Sequence, residues 1–157
     1  MITPPATRGT LPSFAVEWQA CVRQSSPQEI NRFLNQLSAR EAAILLYEWP
    51  LWARAKQLPP PGDWRVWLLL AGRGCGMARA GAEWMRARAT GGQVLEIARV
   101  GDTADDVRQV MVEGPSGILA VSPRGERPQW RRSLCRLDWP NGAIARCYSA
   151  SDPEQLR

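Results

Sequence analysis

The sequence predicts an α/β chain, and three observations carry that prediction. Residues 65–72, "RVWLLLAG", form a continuous apolar run that leads through a glycine-rich turn into a helical pattern. A second pair follows, "QVLEIARVG" with strand character and "TADDVRQVMVEG" with helix character. Then "SLCRLDWPNGAIARCYS" places Asn141-Gly142, a strong hairpin signal, between two strand-like runs. Strand–helix–strand–helix order is the signature of α/β architecture.

From the N-terminus, "MITPPATRGTLP" is rich in proline and threonine, and residues 1–25 are expected to be a loose arm. Ser26, Pro27 and Glu29 make a capping box with proline at the first helical position, where its missing N–H costs nothing. Ile30, Phe33, Leu34 and Leu37 then share one helical face. A second box, Ser38 with Glu41, opens "REAAILLYEW", which stops at Trp49-Pro50. Helices are thus expected within residues 26–56, and the proline-rich "KQLPPPGDW" leads into a core placed at residues 57–157.

The apolar run at 65–72 reads as a strand covered on both faces of a parallel sheet. Beyond it, Met77, Ala80, Gly81, Trp84 and Met85 recur at helical spacing, with Arg79, Glu83 and Arg86 on the other side. Glu96 and Arg99 interrupt the next strand; drift without selection and an edge strand with outward charges both account for them. Thr103 or Asp102 caps the following helix, and Asp105 and Asp106 sit in its first turn, where the dipole favours acids. Counting outward from the hairpin turn pairs Trp139 with Ile144 and Cys135 with Tyr148.

Composition narrows the chemistry. Hydrophobic residues make up 45% and charged residues 22%, which suits a globular domain. The net charge of +5 is carried almost entirely by arginine, whose planar fork suits phosphate and carboxylate. Arg124, Arg127, Arg131 and Arg132 cluster before the hairpin; they read either as a DNA-binding patch or as a solvated basic loop. The chain has no histidine, which excludes histidine general bases, Ser-His and Cys-His nucleophiles and histidine metal sites. Cys21, Cys75, Cys135 and Cys147 show no C-x-x-C spacing. With no signal peptide, they read as reduced thiols of a cytoplasmic protein, and no apolar run is long enough to cross a membrane.

The turn itself carries chemistry. The phosphate-binding pattern is Gly or Ala, four residues, then Gly-Lys-Ser/Thr. Ala71, Gly72, Arg73, Gly74, Cys75 and Gly76 supply the first part, and Met77 and Ala78 stand where the Lys and Ser/Thr belong. Glycines permit a backbone nest whose N–H groups point at phosphate oxygens, aided by the helix dipole. The lysine that reaches the β and γ phosphates and the hydroxyl that holds magnesium are both replaced.

"LPPPGDWRVWLLLAGRGCGMARAGAEWMRARA" closely resembles the ATPase start of the large terminase subunit of tailed bacteriophages and phage-like gene transfer agents. In that family the stretch reads like "PPGDWRxWLLLAGRGxGKTRAGAEWxR". The likeness continues through "VGDTADDVRQVMVEGPSGIL" and "LDWPNGAIARCYSASDPEQLR", covering roughly residues 30–157. The resemblance implies an incomplete P-loop NTPase sheet of the ASCE type, with N-terminal helices and a C-terminal hairpin. Large terminases are DNA-packaging motors that use ATP and Mg2+. They drive double-stranded DNA into a procapsid, working with a small terminase subunit and the portal ring. By position, Arg73 is the loop arginine proposed to act on the γ-phosphate, and Gln57 sits where a glutamine contacts adenine; a solvated loop glutamine is the plain alternative.

Departures accompany the match. Residue 157 falls just before the family's Walker B strand, so neither its acidic pair nor the nuclease domain is in the sequence, and no metal ligand is assigned. The expectation is a truncated, hydrolysis-deficient fragment of a terminase large subunit in a bacterial host, as from a decayed prophage. The alternative is a non-enzymatic module that binds DNA, the portal or another partner.

Overall fold

The computed structural model describes residues 11–72, 74–92, 94–152 and 154. The chain divides into two compact units, Met1–Leu58 and Pro59–Arg157. It is a mixed α/β structure, with helices in the first unit and one four-stranded sheet in the second.

The first unit holds α1 (Leu11–Gln24), α2 (Pro27–Gln36) and α3 (Ala39–Tyr47), followed by two short 3-10 turns. Helix α1 occupies a stretch expected to be loose arm. Ala15 and Trp18 lie on its buried face, and half-buried Val22 packs against the same cluster. Gln19 Nε2 donates to the Ala53 carbonyl at 2.8 Å, tying α1 to the chain beyond α3. Both capping boxes form as their spacing requires. Ser26 Oγ accepts from the Glu29 N–H at 3.3 Å while Glu29 accepts from the Ser26 N–H at 3.0 Å. Ser38 and Glu41 repeat this at 3.3 and 2.9 Å. Hydrogen bonds from Ser26 and Ser38 hold the Glu29 and Glu41 carboxyls below their usual range. Phe33 of α2 meets Trp18 at a ring-centroid distance of 5.4 Å, and Leu51 completes the small core. Leu34, expected on the packed face of α2, is exposed.

In the second unit, α4 (Met77–Thr90) is followed by β1 (Glu96–Gly101), a helical turn α5 (Ala104–Asp106), a π-helical stretch (Val107–Val112) and α6 (Ile118–Val121). The strands β2 (Gln129–Arg131), β3 (Arg136–Asp138) and β4 (Ile144–Ser149) complete the sheet. Its order is β1-β4-β3-β2, with β1 parallel to β4 and the other neighbours antiparallel. The α5 turn is capped as expected, with Thr103 Oγ1 accepting from the Asp106 N–H at 3.1 Å. Met85 and Ala89 of α4, Val112, Ile118 and Val121 meet Leu137, Trp139 and Ala145 in one core.

The hairpin forms about Asn141-Gly142, but one residue away from the expected register. Trp139 N–H donates to the Ala143 carbonyl at 2.8 Å, and Asp138, not Trp139, faces Ile144. The connection is therefore three residues, Pro140 to Gly142, with Gly142 left-handed at φ 89°. A one-residue slip exchanges the faces of a strand. In this register Leu137, Trp139, Ala143, Ala145 and Cys147 are all buried, and Leu137 faces Ala145 rather than Arg146. Asn141 also closes the end of α4, its Nδ2 donating to the Ala89 carbonyl at 2.7 Å while its Oδ1 accepts from the Ala143 N–H.

Residues 65–72 are not the buried strand that their apolarity predicts. They join no sheet, and Val66, Leu68 and Leu70 are 81%, 71% and 85% exposed. Apolar sequence demands burial but does not supply a ladder partner, and among the described residues none pairs with this stretch. Aromatic packing holds its start instead: Trp64 lies 6.0 Å from Trp67 and 6.4 Å from Trp84 of α4, over which Arg88 stacks at 5.5 Å.

Strand β1 is an edge strand, which accounts for Glu96: it points outward and accepts from Arg146 Nε at 2.8 Å. Arg99 does the opposite. It is 7% exposed, its Nη1 lies 4.0 Å from Met85 Sδ, and no carboxylate pairs with it among the described residues. Burial pushes its guanidinium down to about 10. Below that pH the folded state carries the whole desolvation cost, and relief comes only as pH rises through it. Replacing Arg99 by methionine is expected to stabilise the chain at pH 7 by on the order of 1–3 kcal/mol. A denaturant titration measures this; an unchanged or lower midpoint would show that the arginine is satisfied in the fold.

Candidate phosphate-binding loop

The candidate loop lies between the exposed segment and α4. Gly74 and Gly76 adopt left-handed backbone, with φ 78° and 76°, which a side chain would strain. Among the described residues no atom beyond the chain neighbours lies within 4 Å of where a Cβ would stand at Gly72 and Gly74, so the turn is open on that side. Cys75 N–H donates to the Gly72 carbonyl at 3.4 Å, a long bond that tightens the turn. Arg73 lies outside the described residues.

Gly76 caps α4, and among the described residues no side chain makes a cap hydrogen bond there. That end of a 14-residue helix carries partial positive charge. Met77, expected on the apolar face of α4, is 41% exposed at its first position, and Ala78 follows half-buried. The lysine's place thus holds an exposed thioether, and the hydroxyl's place a methyl. Among the described residues no group of three or more acidic or sulfur side chains is arranged to hold a metal. What this turn offers a ligand is backbone and a helix N-terminus, and Met77 and Ala78 bring neither a cation nor a hydroxyl to it.

The buried face of α4 differs from the one expected. Ala80, Ala82, Glu83, Met85 and Ala89 face inward, and Gly81 is exposed. Glu83 is 2% exposed, and it enters the interior because its own helix neutralises it. Arg79 reaches Glu83 Oε1 at 2.7 Å and Arg86 reaches Oε2 at 3.2 Å, while Arg86 Nη1 also donates to the Val121 carbonyl at 3.0 Å. The triad fastens the helix behind the loop to α6. Its signal was the spacing of Arg79, Glu83 and Arg86 at four and three residues, read as solvent-facing rather than as a self-paired buried acid.

Other expected site residues have other occupations. Gln57 Oε1 accepts from the Arg54 N–H at 2.9 Å, closing its own 3-10 turn in the first unit. Arg131 pairs with Asp138 at 3.3 Å and Arg132 with Glu113 at 2.6 Å, while Arg127 donates to the Ser122 carbonyl at 3.2 Å. Arg136, not singled out before, reaches Asp138 at 2.7 Å and is the main reason that this carboxyl titrates below its usual range. The basic cluster is therefore interleaved with acids, and it is a weaker positive surface than its sequence suggests. No helix among the described residues is long and apolar enough to cross a membrane.

Comparison with known proteins adds no assignment: no family model matches the chain, and no curated protein or solved structure matches it.

Glu83→Ala leaves two guanidinium groups facing a partly buried site without their carboxylate. The expected cost is roughly 3 kcal/mol, read as a lower denaturation midpoint. A loss below about 0.5 kcal/mol, the scale of ordinary surface changes, would contradict a structural role for the triad.

Proposed function

We propose that the chain is the N-terminal part of a DNA-packaging ATPase of the terminase large-subunit type, with a phosphate loop that no longer supports hydrolysis. The observation that carries this reading is the loop itself: left-handed Gly74 and Gly76 lead into α4 with no side-chain cap among the described residues, and Met77 and Ala78 follow. The long likeness around it, from "PPPGDW" to "GAEW", supplies the family. On this reading the sheet is the partial ASCE-type core, and double-stranded DNA, a small terminase subunit and the portal are the partners of the assembly.

The chain's own groups divide the work unevenly. Backbone N–H groups of the turn and of the first turn of α4 would hold phosphate oxygens, with the helix dipole adding charge. Arg73 would approach the terminal phosphate. Magnesium-bound ATP, where such motors act, is activated by charge neutralisation, and Met77 and Ala78 supply none. Binding through the backbone and catalysis through side chains are thereby separated: the first set of groups survives and the second does not.

The reading predicts no steady-state hydrolysis of magnesium-ATP by the purified chain. Single-turnover hydrolysis measured with excess protein tests it directly. Hydrolysis that is present, and that disappears in Arg73→Ala, would overturn it.

A further inference from the structure

A second piece of chemistry lies on the hairpin, away from the loop. Cys135 and Cys147 come together there although twelve positions separate them in sequence. Arg136 faces Arg146 in the β3–β4 register, and Cys135 and Cys147 occupy the next step outward, where Cys147 N–H donates to the Cys135 carbonyl at 2.8 Å. That single bond, with the Cys135 N–H turned to the Arg132 carbonyl at 3.2 Å, sets the two residues opposite each other just beyond the ladder; a disulfide bridges Cα atoms about 4.4–6.8 Å apart. Both residues line one cavity of about 190 Å3, and the Cys135 thiol donates at 3.7 Å to the carbonyl of Arg132, another lining residue.

The two thiols differ in access. Cys135 is exposed, and its backbone is left-handed at φ 45°, the one non-glycine residue with positive φ among the described residues. Cys147 is buried in the core face of β4. Across the parallel ladder, Cys147 faces Arg99, the buried arginine that no carboxylate pairs with among the described residues. Desolvation pushes the Cys147 thiol up to about 11, and the guanidinium opposes that shift. Cys135 raises it slightly. The remaining charged or titratable groups lining the cavity are Asp105, Arg108, Arg132 and Tyr148.

We propose that Cys135 and Cys147 are a redox-responsive thiol pair, oxidised by a low-molecular-weight disulfide such as oxidised glutathione, with Arg99 as the residue that positions charge for the second step. The Cys135 thiolate attacks one sulfur of the glutathione disulfide. Its S–S bond breaks, and one glutathione thiolate leaves. Cys147 then gives up its proton and attacks the Cys135 sulfur, releasing the second glutathione as thiolate. Two protein thiols are oxidised to one disulfide, one glutathione disulfide is reduced to two thiols, and the Cys147 proton leaves with the second. The product staples the start of β3 to β4 and lines the cavity with a disulfide. It gives the buried Arg99 a function beyond its contact with Met85.

The full chain, reduced and then incubated natively with oxidised glutathione, tests the pair after alkylation of remaining thiols and peptide mapping without reductant. The expected dominant linked species joins Cys135 to Cys147, with both positions lost to alkylation. Cys147→Ser is expected to stop at a glutathione adduct on Cys135, and the same reaction in urea to lose the preference between cysteines. Arg99→Met is expected to close the disulfide more slowly and to move the pH profile of closure upward, a change that loss of packing alone does not produce. Stable accumulation of the Cys135 adduct in the native chain, as in Cys147→Ser, would overturn the pairing. A closure profile unmoved by Arg99→Met would overturn the role of the arginine.

Discussion

The parallel ladder between β1 and β4 is the constraint on which the C-terminal unit depends. These strands are distant in sequence, and pairing Glu96 through Gly101 with Ile144 through Ser149 closes a long stretch of chain. Closing so long a stretch costs chain entropy, which the burial on the new sheet has to offset. One face meets α4, α6 and the π-helical stretch through Met85, Ile118 and Val112. The other carries alternating charges, Glu96 with Arg146 and Arg136 with Asp138, which keep an open sheet soluble on that side. The ladder also sets the two features that carry chemistry: it backs α4, whose first turn receives the loop, and it places Arg99 opposite Cys147.

The loop illustrates how scaffold and reactivity come apart. Backbone conformation at Gly74 and Gly76 depends on glycine and on the helix that follows, and both are intact. Reactivity would depend on two side chains, and neither Met77 nor Ala78 can stand in for a cation or a hydroxyl. Changing those two side chains disturbs no core contact at the start of α4, where Met77 is exposed. On the proposed reading, the turn keeps its backbone shape without the side chains that would use it.

What was legible in the sequence was local. Ser26 with Glu29 and Ser38 with Glu41 act within one helical turn, and both boxes form. The turn at Asn141-Gly142 was also legible, but its length was not: three connecting residues instead of two shift the register by one and decide which side of each strand is buried. The segment 65–72 was misread because apolarity specifies burial and is silent on the partner. Helix α1 was hidden behind the proline and threonine that precede it, although Ala15, Trp18 and Val22 keep helical spacing. Glu83 and Arg99 defeat the rule that charge faces water. The first is buried because its own helix supplies two arginines, and the second is buried with no carboxylate beside it among the described residues. Neither Cys135 nor the cavity beside it had a sequence signal, since that neighbourhood exists only once β3 and β4 are in register.

The central claim is that the loop keeps a phosphate geometry and lacks the side chains that use it. The most direct measurement compares thermal melts of the chain and of a Met77→Lys/Ala78→Thr variant, each with and without millimolar magnesium-ATP. A ligand at about 100 times its dissociation constant stabilises a folded state by roughly 2.7 kcal/mol, which a melt resolves. The variant is expected to rise with nucleotide by clearly more than the native chain. Equal responses in the two proteins, including no response in either, would mean that residues 71–78 do not form a phosphate site and that the resemblance of this stretch does not extend to its function.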